Sequence, residues 1–138
     1  MGQQQLLLII LGVIIVGLAV LVGVSMFQDN AIDHNRSLVI ADLKTLASKC
    51  QHYYSRPVSL GGGGNSFVGL TADDSGIGLL AGTEFTDNAN GTYTVSSPGG
   101  TATQVILHGV GKVVMSDGTY PTYNMTVLNQ AQNLTKIN

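Results

Sequence analysis

The chain has 138 residues and a formal net charge of −2, from 6 Lys and Arg against 8 Asp and Glu. A protein that binds nucleic acid normally carries a basic face, so this balance argues against nucleic acid as a partner. The length suits one ordinary domain, or a smaller domain with an extension. The single cysteine, Cys50, excludes a disulfide within the chain, and we interpret it as a small buried side chain on a helix.

The first predicted element is an apolar half-helix over residues 1–27. Leu6 to Phe27 is an almost unbroken apolar run, long enough at 1.5 Å per residue to cross a bilayer core of about 30 Å. No charged residue precedes Asp29. A secretory signal peptide has a positive start and a shorter apolar core, and a simple membrane anchor usually has flanking Lys or Arg. Neither interpretation suits this segment.

The second predicted element continues the same helix over residues 28–55. Its apolar residues recur at helical spacing and form one stripe, which we expect to pack on a sheet: Val39, Leu43, Leu46, Cys50 and Tyr53. Pro57 pushes the residue before it out of the helical region, so the helix should end near Ser55. The sequence therefore predicts one helix over residues 3–55, apolar all round in its first half and on one side in its second.

Residues 57–90 are predicted to form a long irregular connection. The glycine tract at residues 61–64 is not followed by Gly-Lys-Ser/Thr, so it is not a phosphate-binding loop. Four acidic side chains could offer oxygen ligands to calcium, but they lack EF-hand spacing, and we interpret them as solvated turn residues: Asp73, Asp74, Glu84 and Asp87. The three histidines have no zinc-site spacing, and we expect no metal or other cofactor.

From Gly91 the pattern changes to the alternation of strands, with a turn at Asp117-Gly118. We predict three or four antiparallel strands over residues 91–128, whose apolar face covers the helix stripe. The polar residues 129–138 are either an edge strand or a frayed tail. The predicted fold class is α+β, a long N-terminal helix packed on a small antiparallel sheet, with residues 28–138 forming a globular head.

In this order, a short polar start, an uncharged apolar half-helix, an amphipathic half-helix and a small β-rich domain resemble the type IV pilin family. The resemblance extends over the whole chain, strongly over residues 1–55 and by architecture alone after them. It implies a subunit that waits in the inner membrane and then joins an extracellular filament whose core is a bundle of these helices. The implied partners are other copies of the chain, a prepilin peptidase and an assembly platform.

The resemblance also suggests which residues assemble the filament core. Gln3, Gln4 and Gln5 would sit among neighbouring helices. Most pilins have a glutamate at the fifth mature position; if the mature chain starts at Met1, Gln5 takes that place. If Gly2 instead precedes the peptidase cut, Gln3 is the mature start and Leu7 falls there. Small residues would allow close helix approach: Gly12, Gly17, Ala19 and Gly23.

Four segments match the N-glycosylation sequon, at Asn35, Asn90, Asn124 and Asn133. No nucleophile-elbow or similar context surrounds any Ser, His and Asp, so we do not expect an enzyme. The leading hypothesis is a pilin serving adhesion, motility or uptake. A pseudopilin of a type II secretion system remains an alternative, as does a single-pass membrane protein with an extracytoplasmic binding domain.

Overall fold

A computed structural model describes residues 2–138. Helix α1 spans Gly2–Ser55 without interruption, which confirms the predicted helix. Its 54 residues correspond to about 80 Å at 1.5 Å per residue. The helix ends just before Pro57, where the Arg56 amide still donates to the His52 carbonyl.

The C-terminal part is a four-stranded antiparallel sheet in which each strand pairs with the next along the chain. The strands are β1 (Gly91–Val95), β2 (Gln104–Gly111), β3 (Thr122–Leu128) and β4 (Gln132–Lys136). Strand β4 forms one edge, so residues 129–138 contain an edge strand rather than only a frayed tail. The predicted α+β fold is confirmed.

The core lies between the second half of α1 and one face of the sheet. Val39, Leu43, Leu46 and Cys50 are completely buried, as the helical spacing predicts. Tyr53 lies at the margin of this core: it is half-buried and its hydroxyl donates to the Val68 carbonyl, 3.1 Å away, in the connection. The sheet contributes alternate residues from its inner face: Tyr93, Val95, Val105, Leu107, Tyr123, Met125 and Val127.

The connection between α1 and the sheet is more regular than the sequence predicts. It contains helix α2 (Asp74–Ala81) and two single-turn helices, so the prediction of an irregular segment over residues 57–90 is wrong there. Two glycines weaken the intrinsic helix tendency of α2. Packing overrides it: Ile77 is completely buried, and a Cβ at Gly76 would collide with the Thr71 carbonyl and the Val95 side chain.

The strand residues on the outer face of the sheet include no Asp, Glu, Lys or Arg. Strand alternation and register place there the residues between the core positions. They are mostly hydroxyl and amide side chains with three aliphatic residues and one histidine: Thr92, Thr94, Gln104, Ile106, His108, Val110, Thr122, Asn124, Thr126, Leu128, Asn133 and Thr135.

Candidate membrane and assembly surface

The first half of α1 projects from the head with its apolar side chains uncovered. The large hydrophobic residues from Leu6 to Phe27 are 52 to 80 % exposed. The helix is long and apolar enough to cross a membrane, and none of its apolar window is buried within the chain. Because burying apolar surface is favourable by roughly 25 cal/mol per Å², this surface requires lipid or protein around it.

Polar groups within this segment are satisfied by the helix itself. Between Leu6 and Phe27 the only polar side chain is Ser25, whose hydroxyl donates to the Leu21 carbonyl at 3.1 Å. The backbone is helical throughout, so each interior amide and carbonyl has its partner one turn away. The segment can therefore leave water without stranding a hydrogen-bonding group.

Helical geometry brings three of the four predicted small residues onto one face. At about 100° per residue, Gly12, Ala19 and Gly23 lie within roughly 40° of one another, and Gln5 falls on the same side. Gly17 lies about 140° away from Gly12 by the same rotation. Nothing in the chain approaches within 4 Å of a Cβ built at any of the three glycines. The stripe of Gln5, Gly12, Ala19 and Gly23 is therefore free for another helix.

The other residues predicted for assembly or processing lie at the helix start. Gly2, Gln3 and Gln4 are helical and exposed. Gln5 lies on the stripe because seven helical steps of about 100° join it to Gly12. Gln3 is two such steps from Gln5, so it faces roughly the opposite side of the helix. Within residues 2–138, none of Gly2, Gln3 and Gln4 contacts the head.

The head begins to cover α1 at Ile32, which is 8 % exposed, and at Asn35. The Asn35 side chain is buried: its amide donates to the Asn90 carbonyl at 2.8 Å, and its oxygen accepts from the Val113 amide at 3.4 Å. A Cβ at Gly111 would collide with this oxygen. In the folded head, the Asn35 side-chain nitrogen that would carry a glycan is therefore buried and hydrogen-bonded.

A second polar cluster, centred on Asp42, joins α1 to the start of β1. One oxygen of its carboxylate, Oδ2, accepts hydrogen bonds from Asn88 at 3.1 Å, Asn90 at 2.9 Å and the Tyr93 hydroxyl at 2.7 Å. Burial and the adjacent carboxylate raise the pKa of Tyr93 well above its ordinary value. No spacing pattern in the sequence points to this cluster, since Asp42 lies 46 to 51 residues before its three partners. It also occupies the Asn90 amide, which makes Asn90 a poor glycan acceptor.

The two remaining sequons lie on the outer face of the sheet. The Asn124 oxygen accepts a hydrogen bond from His108 Nδ1 at 2.6 Å, and this asparagine is half-buried within β3. Asn133 on the edge strand is exposed. Of the four sequon asparagines, Asn133 is therefore the most accessible.

The acidic residues of the connection are not gathered into one site. Asp87 pairs with Lys112, the residue that follows β2, while Asp73 has a left-handed backbone (φ 95°) and exchanges backbone hydrogen bonds with Val95. Within residues 2–138, no three His, Cys, Asp or Glu side chains are grouped closely enough to hold a metal ion.

Cys50 is completely buried in the core, as predicted. Burial raises the pKa of its thiol to about 12. Because the thiolate is the reactive form, this cysteine is chemically inert while the head is folded.

Comparison with known proteins adds no relative to these observations: no family model, no curated protein and no solved structure matches the chain.

Proposed function

We propose that this protein is the structural subunit of a type IV pilin-like filament, in which the first half of α1 forms the filament core and the head faces outward. The observation that carries the proposal is the uncovered, charge-free apolar half of a helix whose second half is built into a folded domain. A protein made only to be anchored would gain from basic flanks. In a subunit that must leave the bilayer, basic flanks would oppose the transfer of the helix into the filament core.

The energetics of transfer support this role. Lipid tails and aliphatic side chains are similarly apolar, so moving the helix from bilayer to helix bundle changes hydrophobic energy little, and close packing decides the outcome. The stripe of Gln5, Gly12, Ala19 and Gly23 offers the small surface that close packing needs. Ser25 makes its hydrogen bond within its own helix and requires no partner in either environment.

In this proposal the subunit starts in the inner membrane, is trimmed by a prepilin peptidase and is drawn by an assembly platform into a filament on the cell surface. Adhesion, motility and uptake are the activities open to such a filament. The head is a surface domain, and we assign no catalytic residue to it.

Electron microscopy of filaments sheared from cells, with intact-mass identification of the subunit, tests the proposal directly. The expected result is a thin filament whose subunit keeps its apolar helix, minus at most a few N-terminal residues. Loss of about 25 residues, as in signal-peptide removal, would contradict the proposal. A subunit confined to the membrane fraction would favour a simple anchor, and short periplasmic assemblies would favour a pseudopilin.

A matched pair of variants tests the packing argument. Gly12→Leu fills the stripe, whereas Gly17→Leu adds the same side chain on another side of the helix. Neither touches the head, since both positions are open within the chain. Filament yield should fall much further for Gly12→Leu than for Gly17→Leu, at equal membrane levels of the subunit. Equal yields from the two variants would show that the stripe is not a packing surface.

A further inference from the structure

The loop between β2 and β3 lies against α1 just beyond the apolar half-helix. Residues 113–116 of this loop line one cleft with Gln28, Asp29, Ala31 and Ile32 of α1. Gln28 is the first polar residue after the apolar run, so the loop sits one to five residues past Phe27. At 1.5 Å per residue this is about 2 to 8 Å along the helix axis.

The loop is held to the helix on both sides of Val114. The Val113 amide donates to Asn35 Oδ1 at 3.4 Å. Met115 is 8 % exposed and its sulfur accepts from Arg36 Nη2 at 3.1 Å. Val114 lies between these two attachments and is 51 % exposed. An aliphatic side chain is thus fixed outward beside the end of the apolar helix.

The position of Val114 matches the boundary layer of a bilayer. The run from Leu6 to Phe27 covers about 33 Å, close to the hydrocarbon thickness of about 30 Å, and the headgroup layers add roughly 5 to 7 Å on each side. With the apolar run spanning the hydrocarbon, residues 28–32 and the loop beside them fall in the headgroup layer.

We propose that the segment of residues 113–116, with its exposed Val114, rests in the lipid headgroup layer and holds the head against the membrane before assembly. This inference rests on the membrane stage of the proposed function. The contact is apolar and suits zwitterionic lipid, because the carboxylates around the cleft outnumber the cations. Asp29, Asp33 and Asp117 stand against Arg36 alone, and Arg36 is itself paired with Asp33. The neighbouring Lys112 is paired with Asp87.

Site-specific fluorescence on the full-length chain in zwitterionic vesicles tests the inference. Val114→Cys carries an environment-sensitive fluorophore (NBD), and the vesicles contain nitroxide lipids labelled either in the headgroup or deep in the acyl chain. Leu79→Cys is the matched control: Leu79 is a 58 % exposed aliphatic residue on α2, near Lys49 and Tyr53 at the far end of the head. Cys50 is buried and should stay unlabelled, which labelling of the unsubstituted protein checks.

A third variant, Val16→Cys within the apolar half-helix, distinguishes failure of the headgroup contact from failure of the membrane stage itself. We expect Val114 to show blue-shifted emission and stronger quenching by headgroup than by deep nitroxides, Val16 to be quenched by deep nitroxides, and Leu79 by neither. If Val114 behaves like Leu79 while Val16 is embedded, the inference is overturned and the membrane stage stands. If Val16 is not embedded, both fail.

Two further outcomes would overturn the inference. A blue shift at Val114 without nitroxide quenching would mean that protein, such as a second copy of the chain, covers the loop. A marked rise in the Val114 signal when anionic lipid is added would mean that charge attraction, rather than apolar contact, holds the segment. Unchanged signal on adding anionic lipid supports the inference.

Discussion

Removing residues 1–27 should leave a soluble monomer with the full stability of the head. The structure supplies the magnitude. Among residues 2–31 no large apolar side chain is buried, and the only side-chain hydrogen bond of residues 2–27 is made within that segment, by Ser25. The new helix start places Asp29 in the first turn, where a negative charge contributes about 0.3 to 1 kcal/mol through the helix dipole. The free energy of unfolding should therefore change by less than about 1 kcal/mol.

A longer truncation is the matched control. Removing residues 1–35 also deletes Ile32 and Asn35, which are 8 % and 5 % exposed. Losing a buried aliphatic side chain costs about 2 to 5 kcal/mol. Leaving the Val113 amide and the Asn90 carbonyl without Asn35 adds about 1 to 3 kcal/mol where these groups stay buried. The second truncation should thus be clearly less stable than the first.

Urea denaturation followed by circular dichroism measures both truncations, and size-exclusion chromatography reports their association. The full-length chain in detergent supplies the reference, through hydrogen exchange of the strand amides. Aggregation of the shorter truncation, or an unfolding transition that is not cooperative, would refute the division of α1 into an uncovered half and a packed half. Equal stability of the two truncations would refute the assignment of Ile32 and Asn35 to the core.

Four other predictions follow from the same contacts. Leu43→Ala should lower the free energy of unfolding of the head by about 2 to 5 kcal/mol, since the side chain is completely buried, and urea denaturation measures the loss. Head stability should be lost as pH rises above 9.0, because folded Cys50, with its pKa near 12, keeps a proton that the unfolded chain releases. Denaturation at several pH values should show Cys50→Ala removing about 1.4 kcal/mol of this loss per pH unit. Gln5→Lys should abolish filaments at normal membrane levels, since a lysine can reach a membrane edge but not enter a dry bundle. Gln5→Glu should be tolerated if the mature chain starts at Met1. Normal filaments from Gln5→Lys would contradict a position of residue 5 in the filament core. If the producing cell glycosylates sequons, glycopeptide mass spectrometry should find glycan on Asn133 and none on Asn35.

Periodicity predicted the parts of the fold that depend on neighbours along the chain. The spacing of Val39, Leu43, Leu46 and Cys50 identified the buried face of α1, and alternation identified the sheet. Helix α2 was missed because local preference argues against it and only packing around Ile77 forms it.

The polar contacts could not be predicted from the sequence, for a different reason. A sequon marks Asn35 as an acceptor, yet its side chain points at Asn90 and Val113, more than fifty residues away in the chain. Likewise Asp42 reads as one more surface charge on an amphipathic helix until the fold brings three donors to it. Such long-range pairings leave no spacing pattern.

The outer face of the sheet has one more consequence, for how whole filaments would meet. The strand residues of this face include no Asp, Glu, Lys or Arg, and the Asp87–Lys112 pair at its edge carries no net charge, so the face has little electrostatic repulsion for salt to screen. The one histidine among these strand residues, His108, is hydrogen-bonded to Asn124. In the proposed filament, side-by-side bundling through this face would be governed by hydroxyl, amide and aliphatic contacts rather than by ion pairs.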